Sequence, residues 1–268
     1  MEYQLKSKEY YEVNKKKFNF LYNNIIKKYI NRARIGCCSY LCHKFKPIGY
    51  EDFFKKYLES GKDSKFNYST LKGDYYHGRT IEELYALSEA CCKEINVPSI
   101  TTDMCLDDIV NHCILETYDG QAIERAVCKT ISETKKYVVR QEEDDIDAEM
   151  GVDITVGDKD GNVTNFIQIK PLSTFMGNKN ISLRTDRANF YMKQVKLDNY
   201  LDMDDRPNDK RLIEYMVYDK TEYNNSGRIK FLINKKNGSF RFHLNELCDE
   251  RGNSLLGRYC DLSFGSLK

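Results

Sequence analysis

The sequence predicts an α+β fold, a mixed central β-sheet flanked by helices with a mostly helical N-terminal third. Three observations carry that prediction. Apolar residues recur at helical spacing through the N-terminal third. Residues 150–171 read as two strands joined by a tight turn. Three more short apolar runs, 212–218, 229–233 and 239–243, have strand character. No linker interrupts the chain, so its 268 residues read as a single domain, with a helical part over 1–115, a core over 116–220 and a β-hairpin region over 221–268.

Composition excludes some classes. The 42 basic and 41 acidic residues leave a formal charge of +1, which rules out a globally basic coat but not a basic cleft opposite an acidic face. No apolar run approaches a membrane span, and the segment from Met1 to Lys6 is unlike a signal peptide, so a soluble, cytoplasmic protein with no membrane partner is expected. Ten cysteines in such a chain are expected to be reduced thiols. Cys37, Cys38 and Cys42 with His43, and Cys91, Cys92, Cys105 and Cys113 with His112, lack the paired CxxC spacing of structural zinc sites and read as core.

Taken in order, Phe18, Leu21, Ile25, Ile26 and Tyr29 mark one amphipathic helix with a basic outer face. Residues 36–79 read as irregular or briefly helical, with 50–58 the clearest turn. Thr80 and Glu83 form a capping box that opens the next helix. A helix over 106–116 leads into another over 119–133, where Ala122, Ile123, Ala126, Val127 and Ile131 make the apolar stripe and Glu124 sits beside it in the first turn. Residues 137–140 are a strand candidate. The acidic run 142–149 reads as a solvated connection away from any nucleic acid, although Asp147 or Glu149 could substitute for Glu124.

In 150–171, Val152, Ile154 and Val156 alternate with Asp153 and Thr155. Asp158 to Asn162 supply turn chemistry, and the second strand, 163–170, stops at Pro171. Gln168 and Lys170 share a face, while Ile167 and Ile169 point the other way, into the core. If Asp153 faces the same side as Gln168, then a carboxylate, an amide oxygen and an ammonium converge. Carboxylate and neutral oxygens suit Mg²⁺. A lysine beside such an ion can orient a water and stabilise charge on phosphate. These are the parts that metal-dependent phosphodiester hydrolysis requires.

The motif Gly151-Val152-Asp153, followed fifteen positions later by Gln168-Ile169-Lys170, resembles the core of the PD-(D/E)xK nuclease superfamily and most resembles its type II restriction endonucleases. Gln168 departs from the pattern, standing where an acid is usual and removing one metal-binding charge. The resemblance implies a restriction-endonuclease-like sheet and a glutamate on a helix ahead of the aspartate strand, a place that Glu124 fills. It implies a Mg²⁺-dependent, sequence-specific endonuclease acting on double-stranded DNA as a homodimer. Glu124 and Asp153 would hold the metal, with Gln168 and the Ile169 carbonyl as further oxygens and Lys170 at the reacting phosphate. Arg184, Arg187, Lys193 and Lys196, on a helix expected over 186–203, are candidate contacts to the DNA backbone. A structure-specific DNA nuclease and a non-catalytic DNA-binding relative are the alternatives, since the motif does not separate them.

Overall fold

The computed structural model describes residues 3–142, 144–176, 180–203, 212–256 and 262–266. Two compact units divide the chain, Met1–Ala122 and Ile123–Lys268.

The first unit is helical. Phe18, Leu21, Ile25 and Ile26 are buried, as their spacing predicts. They do not lie on one regular helix, however. Short helices at Lys8–Val13, Lys15–Leu21, Lys27–Tyr29 and Arg32–Ile35 share the segment with a π-helical turn at Tyr22–Ile26. Beyond it lies a helix at Cys38–Phe45 that the sequence left undefined, closed by Lys46 in the left-handed conformation at φ 44°. Helix α1 (Tyr50–Gly61) and helix α2 (Ile81–Ile95) follow. The capping box of α2 forms as expected, with Glu83 N–H donating to Thr80 Oγ1 at 3.3 Å and Thr80 N–H to Glu83 Oε2 at 2.8 Å.

Arg79 organises the loop before α2. It is fully buried, and its guanidinium donates to the carbonyls of Arg34, His77, Gly78, Ala33 and Asp74 at 2.6–3.2 Å. Five carbonyls thus depend on one side chain, and buried acceptors left unmet are costly. Arg79→Met is expected to lower stability by about 3 kcal/mol, read from urea unfolding. An unchanged midpoint and slope would show that these carbonyls find other donors.

A helical run begins at Thr102–Asp108, capped by Thr101, and passes through a π-helical stretch at Ile109–Leu115. It continues as α3 (Glu116–Glu133), where the sequence predicted two separate helices. The unit boundary falls inside α3. Its C-terminal part, with Ile123 and Val127 buried, packs on the sheet.

The second unit is built on one mixed sheet. Its strands are β1 (Val138–Gln141), β2 (Ile154–Gly157), β3 (Val163–Pro171), β4 (Ile213–Tyr218), β5 (Lys230–Asn234), β6 (Arg241–Phe242) and β7 (Leu262–Ser266). The order is β1-β2-β3-β4-β5-β7, with β6 also on β4. Asp158 closes the β2–β3 turn by accepting from the backbone N–H groups of Asp160 and Asn162, while Gly161 takes φ +85°. Strands β3 and β4 are parallel, so the chain needs a crossover between them, and helix α5 (Asn180–Met203) supplies it. The expected β5–β6 hairpin is only half realised. Its turn forms, with Gly238 N–H donating to Asn234 O at 2.7 Å, but β6 pairs with β4 and β5 takes β7 as its long partner.

Side-chain alternation divides the sheet cleanly. Ile154, Val156, Ile167, Ile169, Met216 and Phe231 pack with Ile123 and Val127 of α3. Phe166, Tyr215, Val217, Leu232 and Phe242 pack with Phe190, Leu197 and Leu201 of α5. Ile167 and Ile169 are therefore core, as predicted, and Gln168 lies on the α5 face.

Candidate active site

The β2–β3 ladder begins with Ile154 opposite Ile167, and Asp153, just ahead of β2, lies against Ile167 and Ile169 of β3. Asp153 N–H donates to Ile167 O at 2.9 Å, and Asp153 Oδ2 accepts from Ile169 N–H at 2.6 Å. The carboxylate is buried, and burial pushes its pKa up to about 7, with Asp147 pushing the same way and the Lys170 ammonium and the Ile169 N–H opposing. Asp147 comes from helix α4 (Asp144–Met150) and hydrogen-bonds to Asp153.

The acidic run is thus not a solvated connection removed from the site. Glu142 is buried, held by Arg140 at 3.0 Å and by the Thr155 hydroxyl, and its N–H donates to Asp153 O. Local composition suggested solvation, but α4 turns one carboxyl of the run onto Asp153. Glu149, the other alternative, is exposed.

Glu124 enters from α3. It is buried and accepts from Gln141 Nε2 at 2.8 Å. Burial holds its carboxyl well above the usual range, and the nearby charges of Asp153 and Asp147 add to that, with Gln141 and Lys170 opposing. Gln141 is a neighbour that sequence reasoning missed, because nothing in a strand-terminal glutamine announces a partner on another element.

Gln168 is fully buried, and among the described residues neither its Oε1 nor its Nε2 has a hydrogen-bond partner. Lys170, two residues on, lies within electrostatic reach of both Asp153 and Glu124. Among the described residues no three His, Cys, Asp or Glu side chains are close enough together to hold a metal as they stand.

The four basic candidates on α5 have different fates. The side chain of Arg184 lies outside the described residues. Arg187 is half-buried and donates to Cys248 O at 2.6 Å and Cys248 Sγ at 3.2 Å. It lines a surface cleft of about 660 Å³ with Tyr191, Glu250 and Arg251. Lys196 is exposed. Lys193 is half-buried and turned toward Asp153, Asp147 and Lys170, and burial, with the Lys170 charge, lowers its pKa. The described cysteines are free thiols, most of them buried. No described helix is long and apolar enough to cross a membrane.

An acid-and-lysine cluster on a mixed sheet flanked by helices puts this protein among the restriction-endonuclease-like α+β folds. More narrowly, the chain belongs to the MjaI restriction endonuclease family, a family of type II restriction enzymes whose model matches residues 18–226. That membership makes it a nuclease by family. No curated protein and no solved structure matches it.

Proposed function

We propose that this protein is a sequence-specific type II restriction endonuclease that hydrolyses double-stranded DNA with Mg²⁺, through a site of the PD-(D/E)xK kind. The single observation that supports this most is the burial of Asp153, Glu124 and Gln168 beside the half-buried Lys170 around one end of β2 and β3, in an enzyme of a restriction family. The donor chemistry fits a hard divalent cation. Buried carboxylates that raise one another's pKa gain from a positive charge between them, and an unpartnered amide oxygen offers a neutral ligand.

Asp153 and Glu124 would hold the ion, with Gln168 Oε1 and the Ile169 carbonyl as further oxygens and Asp147 as an adjoining carboxylate. Bound Mg²⁺ would supply Lewis-acid stabilisation of phosphate charge and a more acidic water. The protein's own contribution is positional. The Ile169 N–H fixes the Asp153 carboxylate, Gln141 fixes Glu124, and the rigid β3 strand carries Lys170, whose ammonium orients the attacking water and meets the charge growing on phosphate. Arg187, Lys193, Lys196 and Arg184 are proposed contacts to the DNA backbone, which fix register without reading bases. A homodimer would put two such sites on the two strands of a palindrome.

The test is incubation of plasmid and phage DNA with the purified protein at low salt. Discrete fragments are expected with Mg²⁺ and none with EDTA. DNA left whole across Mg²⁺ and Mn²⁺, on many sequences, would overturn the proposal, and cutting confined to branched substrates would replace it with a structure-specific nuclease.

A further inference from the structure

A lysine on a surface helix ordinarily extends its ammonium to water. Lys193 of α5 turns inward instead. The reason it can do so is Gly151, which sits at φ +66° beside the β3 face. A side chain there would meet Lys193 Cδ at 2.4 Å, Gln168 Nε2 at 2.7 Å and Lys193 Nζ at 2.9 Å. Any residue but glycine would therefore block the path that the Lys193 stem takes to the amide of Gln168. Gln168 and Lys170 lie two residues apart on β3, and Lys193 lies beside the Gln168 amide and within electrostatic reach of Lys170, so the two ammonium groups and the amide share one end of the sheet.

This arrangement lacks something. Among the described residues the buried Gln168 amide has neither end satisfied, an unfavourable state that protein interiors carry chiefly where a ligand, ion or water completes the site. The groups facing Lys193 are Lys170 and Lys196, both cations, and Asp147 and Asp153, two carboxyls already hydrogen-bonded to each other. Two ammonium groups and an amide N–H gathered in one place make a receptor for an anionic oxygen.

We propose that Lys193 is a second catalytic lysine, whose ammonium binds a non-bridging oxygen of the phosphate to be cut, with the Gln168 amide N–H beside it and Gly151 clearing the way. This rests on the nuclease reading above. In the reaction, water adds at phosphorus while one P–O ester bond breaks. The water leaves a hydroxyl on phosphorus, and its other proton ends on the departing alkoxide. Lys193 meets the charge that builds on the non-bridging oxygen as this happens, and it touches the same phosphate before any metal arrives. Gln168 then acts through its two ends, the oxygen toward the carboxylates and the nitrogen toward substrate.

The experiment uses the full chain with Lys193→Met, and Lys193→Gln as a polar replacement should the methionine variant fold poorly. A duplex carrying a site mapped with the wild type is cut with Mg²⁺, and is bound in EDTA over a range of salt. Cleavage is expected to fall about a hundredfold or more. The slope of log affinity against log salt is expected to become shallower by about one phosphate contact, a change that a merely structural lysine would not produce. Melting temperature should hold or rise, since a half-buried charge is removed. Cleavage within about threefold of wild type, or an unchanged salt slope, overturns this proposal while the nuclease reading stands. A wild type that cuts no DNA overturns both.

Discussion

Asp153→Asn is expected to lower the cleavage rate by about a thousandfold or more while leaving the fold and duplex binding in place. The asparagine is nearly isosteric, and its amide oxygen can still accept from the Ile169 N–H that Asp153 Oδ2 now meets at 2.6 Å. What it loses is charge. Asp153 is the buried carboxyl that enters β2 beside Ile167 and Ile169, and β2 itself carries no acid. With a neutral residue already at 168, a second neutral residue leaves the β2–β3 face without an anion. Lys170→Ala should fail comparably. Glu124→Gln should be weakened by about a hundredfold, since Glu124 holds its place by accepting from Gln141 and the oxygen of the new amide can still accept that hydrogen bond. Gln168→Glu should keep part of the activity, because it restores a carboxylate at the same length. The measurement is initial cleavage rate against Mg²⁺ and Mn²⁺ concentration, beside duplex binding with Ca²⁺ in place of both. Wild-type cleavage by Asp153→Asn would sink the whole assignment. Full activity in Glu124→Gln would transfer the second metal-binding role to Asp147.

Legibility in the sequence followed the range of the interaction. Features decided within a few residues were readable. The Thr80 and Glu83 box, the shared face of Ile154 and Val156, the turn at Asp158 and the shared face of Gln168 and Lys170 all follow from local signals in the chain, whereas Val152, expected on the face of Ile154, packs with Phe166 on the other. What depended on distant partners was not. The two π-helical stretches, Tyr22–Ile26 and Ile109–Leu115, shift the register of a 3.6-residue pattern, and no simple period reveals them. The helix at Cys38–Phe45 is short and ends at a lysine in a conformation usually given to glycine. The β6 strand leaves its expected hairpin to pair Arg241 and Phe242 with Met216 and Tyr215 of β4, which β5 meets only at Tyr218, a fact about the sheet and not about residues 239–243. Asp147 and Lys193 teach the same lesson within the site. Asp147 belongs to a run of charges that composition assigns to solvent and Lys193 to a set of candidate backbone contacts, and each is brought inward by the placement of its helix. Gly151 was legible as part of a motif, but its use as a passage for a lysine stem needed coordinates.

The same buried carboxyls predict how stability should answer to pH and metal. In the folded chain burial raises the pKa of Asp153 from 3.8 to about 7, while the unfolded chain releases that proton near the ordinary value. The folded state therefore binds more protons through this window. Its stability from this group is fully present below pH 3.8 and is lost as pH rises through about 7. The loss from Asp153 is at most about 4 kcal/mol, and Glu124, raised for the same reason of burial, acts in the same direction. Mg²⁺ requires the deprotonated carboxylates, so its protection should grow where the metal-free protein weakens. In EDTA the melting temperature is expected to fall by about 10 °C between pH 5 and pH 8, and Mg²⁺ is expected to recover most of that fall at pH 8 while doing little at pH 5. Asp153→Asn should flatten both responses, because an amide has no proton to release and no charge to give the ion. Differential scanning calorimetry on the two proteins, with and without Mg²⁺, reads all of this without a DNA substrate. A metal-free melting temperature that climbs across the same pH range, or a Mg²⁺ shift equal at both ends and retained in Asp153→Asn, would remove Asp153 from the cation site.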